Sequence, residues 1–350
     1  MQHAIKRDSN IELLRIISII GVFILHQNGG IISQSEGVNT GTLYLLECFF
    51  IGSVNLFMLI SGYFMSERHT VSIWKAVNLL FMVSFFKFIR YFTGLYISGG
   101  VFELVTFLKS IVPSNQFINL YLTVYIFSPF IGFMTGKLSR EQMKRLLIIE
   151  IILFSIIPTF FYIINDIFQL SISTLWTVTV DGAASGYSVV NYFLMFSVGI
   201  YIRRYGQEKK FTNLLLKFGV CVVLLFFLTV GAELLHEGGR WTIWAYCNPL
   251  VIWIAVLWFE LFRKFKFKSY FINHLSRSVI VMFLIHRDFF TLINMEYIAT
   301  ENAVLMVMHI LGNGLVIYMI SWGIWAIYIN TIEKILILFE KGHSINITCE

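Results

Sequence analysis

The side chains best suited to chemistry lie in one apolar stretch, Asn10 to His26, which reads NIELLRIISIIGVFILH. As a helix it sets Arg15 and His26 eleven residues apart. At ~100° per residue they return to within about 20° of one face, about 16 Å apart along the axis. Glu12 stands one turn before Arg15 on nearly the same face. An imidazole with a pKa near ~6.5 is suited to taking a proton from a hydroxyl, a poor nucleophile at neutral pH, during attack. An ionised group at mid-membrane costs at least ~2.5 kcal/mol, so three polar groups on one stripe point to a protein-lined cavity rather than lipid. The competing structural reading makes His26 an interhelical hydrogen-bonder and lets Arg15 snorkel to the surface.

The elements that must position this stripe are read from composition and period. With 350 residues, 57% hydrophobic and 13% charged, the chain cannot hide its apolar side chains in a water-soluble globule. Apolar runs fall at about 11–31, 42–65, 73–97, 117–136, 145–165, 186–204, 211–235, 241–262, 276–295 and 303–330. The expected fold is all-α: a polytopic membrane protein of about ten transmembrane helices, with one membrane domain over 1–335 and a short tail over 336–350. Glu12 and Arg15 inside the first run, with no small-residue cleavage pattern after it, argue for a retained span rather than a cleaved signal.

Orientation follows from the 26 Lys and Arg residues. Twenty, from Lys6 and Arg7 through Arg203, Arg204, Arg263 and Lys264 to Lys334 and Lys341, fall at one set of span ends. Only Lys109 and Arg240 fall at the other, and Arg15, Lys87, Arg90 and Arg287 lie within spans. Both termini are therefore expected in the cytoplasm. This topology accounts for a pI near 9.0 without a nucleic-acid partner. Cys48, Cys221, Cys247 and Cys349 are scattered, which supports neither a disulfide framework nor a metal site.

By depth, His26, Glu47, Lys87, Arg90, His286, Arg287, Asp288 and His309 fall between mid-membrane and the outer face. Mutual pairing in a polar chamber would relieve their desolvation cost. Lys87, Arg90 and Glu47 also suit a structural ion-pair network. On a regular helix Arg287 and Asp288 project about 100° and 200° from His286, so the three cannot share one cavity wall. Two outer connections are longer than turns: 100–116, with the spacing of an amphipathic surface helix, and 166–185, which carries Trp176, Asp166 and Asp181.

Five fragments in order resemble the acyltransferase 3 family of bacterial membrane proteins, over nearly the whole chain. They are Glu12, Arg15 and His26 in the first helix, with Glu for the more usual Asp; Val54 to Tyr63, ending Ser61-Gly62-Tyr63; Tyr121 to Phe130, ending Ser-Pro-Phe; Tyr192-Phe193 with Gly199; and Phe283-Leu284-Ile285-His286. The chain departs from the pattern at Leu120, where the family has Trp, and in lacking an Arg-x-x-Arg after the second helix.

The resemblance implies transfer of an acyl group, usually acetyl, from cytoplasmic acetyl-CoA or another acyl-CoA to a hydroxyl of a cell-surface or lipid-linked polysaccharide. His26 is then the general base or a transient acyl carrier. Arg15, fixed by Glu12, would hold the donor, with Arg68 and Lys75 the nearest basic residues for its phosphates. Ser61, Tyr63, Asn55 and His286 would serve substrate binding, and no metal is called for. Expected partners are the glycan acceptor, membrane lipid and polysaccharide-synthesis machinery, in a bacterial cytoplasmic membrane; nothing in the residues sets an oligomeric state. A polar chamber among helices also suits a carrier or exporter of a glycan, although no inverted repeat or pair of Gly/Pro-broken helices is present.

Overall fold

The computed structural model describes residues 8–68, 70–170, 186–334 and 346–348. Trp176, Asp181 and most of the tail beyond 335 lie outside these residues. The first half of the chain runs α1 (Ser9–Ile32), α2 (Gly37–Phe50), α3 (Ser53–Met65), β1 (Thr70–Ser72), α4 (Ile73–Ser98), α5 (Leu104–Ile111), α6 (Gln116–Gly136), α7 (Arg140–Ile151) and α8 (Ile157–Ile167). The second runs α9 (Val189–Tyr205), α10 (Phe211–Leu235), α11 (Arg240–Ile243), α12 (Pro249–Lys264), α13 (Tyr270–Leu275), α14 (Val279–Ile285), α15 (Met295–Thr300), α16 (Ala303–Tyr328) and β2 (Asn346–Thr348). Seven helical segments among the described residues are long and apolar enough to cross a membrane, which makes this an all-α polytopic membrane protein.

Several runs that read as single helices are interrupted, each for a physical reason. The segment 42–65 bends at Ile51–Gly52 between α2 and α3, where Gly52 lets the chain pass against the backbone of Ala255. A π-turn over Ile152–Ile156 joins α7 to α8 just before Pro158, which has no N–H to give the helix, and Ser155 turns its hydroxyl to the Cys247 carbonyl at 2.6 Å. The run 241–262 contains the short α11, and α12 begins only at Pro249, capped by the Asn248 side chain on the Leu250 amide. The run 276–295 holds seven α-helical residues, α14, followed by a 3₁₀ segment over His286–Leu292. Helices α9 and α12 are 17 and 16 residues long, shorter than the seven long segments.

Helix α1 and the α2–α3 pair form the centre: 72% and 78% of the residues in their most apolar stretches are buried, against 11% for α4, whose side chains face outward. The tightest contact is α3 on α9, where a Cβ on Gly62 would overlap the Phe196 carbonyl and one on Gly199 would overlap the Leu59 carbonyl. Small residues let two backbones approach in this way, which matters where lipid supplies no hydrophobic drive between helices.

Basic span ends gather at one end of the bundle. Arg204 donates to the Ser66 carbonyl at 2.8 Å, Tyr205 to the Leu138 carbonyl at 2.9 Å, and Asn10 to the Phe262 carbonyl at 2.9 Å. There β1 pairs antiparallel with β2, so Asn346–Thr348 is stitched to the residues that lead into α4. At the opposite end Asn39 donates to the carbonyls of Ala299 and Glu301.

Candidate active site

His26, on α1, meets His286, the first residue after α14, with Nδ1 of His26 2.7 Å from Nε2 of His286. The rings are parallel within 2° and their centroids 5.0 Å apart, the separation of two imidazoles joined edge to edge by a hydrogen bond rather than stacked face to face. His286 is 3% exposed, and its Nδ1 lies 3.0 Å from the Met282 carbonyl and 2.9 Å from that of Phe283. Carbonyls only accept, so Nδ1 of His286 carries the proton and Nε2 presents a lone pair. With both rings neutral, His26 must then donate from Nδ1, and its Nε2 is left as the basic nitrogen. Among the described residues nothing hydrogen-bonds that atom.

A cavity of about 420 Å³ opens beside the pair, lined by Val22, His26, Val54, Arg90, Tyr187, Tyr246, His286 and Arg287 among others. Arg90, on α4, reaches the segment after α14: Nε and Nη2 meet the Asp288 carboxylate at 2.5 and 2.9 Å, and Nη2 also donates to the Leu284 carbonyl at 2.9 Å. A main-chain acceptor at the end of α14 is thereby tied to a side chain, and the chain tightens to 3₁₀ geometry. His286 and Arg287 both line the cavity, while Asp288 turns to Arg90.

A second cavity of about 350 Å³ lies toward the basic end, lined by Arg15, Ile19, Ser61, Lys75, Asn78, Tyr121, Tyr125 and Glu333 among others. Arg15 stands 3.5 Å from Glu12, whose carboxylate is buried. The Ser61 hydroxyl donates to the Phe57 carbonyl at 2.8 Å, a bond within α3, and the residue lines this cavity. Both cavities are lined by Phe117 and Phe283, whose ring centroids are 4.7 Å apart. Two chambers on one face of α1, Arg15 in one and His26 in the other, therefore meet at this aromatic pair.

Other singled-out residues lie elsewhere. The buried Asn55 side chain donates to the Tyr246 carbonyl and accepts from Asn191, and it lines neither cavity. Tyr63 packs on Phe259 beneath the Arg203 guanidinium and lines a third, basic groove with Arg263 and Lys264. Arg68 donates its amide to the Met65 carbonyl at the end of α3 and lines neither chamber. Glu47 accepts from Asn28, His309 pairs with Glu301, and Lys87 donates to the Lys109 and Val112 carbonyls, tying α4 to α5. The polar chamber is thus smaller than the depth argument suggests. Sequence reasoning missed Phe117, Tyr187 and Tyr246; one Phe among 35 carries no signal of its own. No group of three or more His, Cys, Asp or Glu suited to a metal is found among the described residues.

A membrane-embedded bundle with a histidine pair on one internal cavity and an Arg–Glu pair on another defines a class of integral membrane protein with a site inside it. Residues 8–332 match the family model for the acyltransferase domain of the acyltransferase 3 family, essentially the whole chain, and the protein belongs to that family. It is a membrane acyltransferase. No curated protein and no solved structure matches it.

Proposed function

We propose that the protein transfers an acyl group, in the simplest case acetyl, from acyl-CoA to a hydroxyl of a cell-surface or lipid-linked polysaccharide. The observation that carries this reading is the free Nε2 of His26, held in the basic tautomer by His286 at the edge of a cavity. In the reaction the hydroxyl oxygen attacks the thioester carbonyl, His26 Nε2 takes the hydroxyl proton, the carbon–sulfur bond breaks, and the thiolate leaves and recovers the proton. Brief acylation of His26 itself is the alternative route through the same atom. Arg15 and Lys75 line the chamber at the basic end, where donor phosphates would pair with them. Ser61, on the same wall, faces the pantetheine arm in this scheme.

The clustering of Lys and Arg at that end supports a cytoplasmic donor side, with ten crossings and both termini in the cytoplasm of a bacterium. His26→Ala, expressed and shown to insert, is expected to lower acetylation of surface glycan by about 10²–10⁴-fold, the usual contribution of a general base, as read by NMR of the glycan. Acetylation at the parental level would remove His26 from the chemistry. Paired chambers also suit a carrier; glycan flux without consumption of acyl-CoA would favour that reading, and thioester consumption that depends on glycan favours the transferase.

A further inference from the structure

Arg287 stands apart from the other cations of the site. Arg90 is neutralised by Asp288 and Arg15 stands beside Glu12, but no carboxylate among the described residues pairs with Arg287. It is exposed, it lines the histidine cavity, and it follows directly on His286 in the 3₁₀ segment after α14, where both residues border the same space. A guanidinium on a cavity wall, with no carboxylate among the described residues to compensate it, is placed to meet an anion that enters the cavity. Tyr187 and Tyr246 line the same cavity, whose volume of about 420 Å³ suits a short glycan segment.

The anion in question is not the donor's. Arg15 and Lys75 face the other chamber, and the Phe117–Phe283 pair stands between the two. Whatever meets Arg287 therefore belongs to the molecule that enters beside His26. We propose that the acceptor is an anionic glycan, and that Arg287 holds its acidic group within about one sugar residue of the hydroxyl that is acylated. A planar guanidinium takes a carboxylate or a phosphate through paired hydrogen bonds, so the shared chemistry is an anionic oxygen cluster, from a uronic acid or from the phosphates of a lipid-linked sugar. The proposal rests on the acyl-transfer reading for its choice of acceptor, while the anion site itself does not.

The test uses full-length protein in nanodiscs and four probes. They are a tetrasaccharide of alternating glucuronate and N-acetylglucosamine, its carboxyl-reduced counterpart, farnesyl-diphosphate-linked N-acetylglucosamine, and the free sugar. Thermal stabilisation reads binding without turnover, and transfer of labelled acetyl from acetyl-CoA reads the reaction. The expected result is that one charged probe stabilises the protein at a concentration about tenfold below its neutral counterpart. Arg287→Gln should remove that preference, Arg287→Lys should keep part of it, and the ratio of transfer to charged over neutral acceptor should fall in the same order. Preference for the tetrasaccharide assigns a carboxylate; preference for the lipid-linked sugar assigns a phosphate. Equal response to charged and neutral probes, response to neither, or a preference that survives Arg287→Gln overturns the proposal. A protein that binds a charged probe through Arg287 yet acetylates none keeps the anion site and sinks the acyl-transfer reading.

Discussion

A neutral imidazole that takes a proton becomes a cation, and inside a bundle that charge needs an acceptor in line with it. His286 supplies one: its Nε2 lone pair faces Nδ1–H of His26, while its own Nδ1–H is fixed on the Met282 and Phe283 carbonyls. In the proposed mechanism His286 has the role of the residue that orients the base, performed by an uncharged ring. His286→Leu is therefore expected to lower turnover by about 10²-fold, whereas His286→Gln, whose amide oxygen also accepts from His26, retains much more of it. Comparing turnover and its pH profile in the two variants tests this; equal losses with unchanged profiles would mean that His286 only fills space. Sequence spacing brought Arg15 and His26 to one face within a single helix. It had no means of pairing His26 with His286, 260 residues away, because nothing in either segment encodes the other's position.

Most of what was legible at the scale of elements came from apolar runs and their caps, and most of what was not came from side chains that compete with the helix. No Gly or Pro interrupts residues 276–295, so the sequence reads as one span. The break after Ile285 comes instead from Arg90 on the Leu284 carbonyl and from the His286 ring on the two carbonyls before it, contacts that only the tertiary fold creates. The Ser-Gly of α3, by contrast, could be read as a close helix contact, and the approach of α3 to α9 has that form. Gly62→Ala or Gly199→Ala forces a methyl group into the facing backbone carbonyl. Overpacking of this kind costs about 1–3 kcal/mol, so both variants are expected to show a lower unfolding temperature in detergent, with Gly219→Ala, where a Cβ meets open space, as the control. Unaltered unfolding in all three would mean that the two helices part easily.

For the molecule as a whole, the two chambers and the rings between them set what each variant should do. Phe117 and Phe283 touch at the junction, so on the proposed route an acyl group that starts beside Arg15 has to displace them to reach His26. Phe283→Ala, with or without Phe117→Ala, is expected to raise hydrolysis of acetyl-CoA in the absence of any glycan by several-fold, because water would reach the thioester through the gap. Hydrolysis that stays at the parental rate in the double variant would place the acyl route elsewhere. Two chambers that approach one another from opposite ends of α1 bring a further requirement that has nothing to do with sugars. If the protein sits in an energised membrane and water enters each chamber from its own side, the Phe117–Phe283 pair also has to keep the two water columns apart, because a bilayer that carries a proton-motive force tolerates no continuous wire through it. Bulk at 117 and 283 would then be a matter of energy conservation for the cell: small residues at both positions are expected to depolarise the membrane and slow growth even when His26 is replaced by Ala.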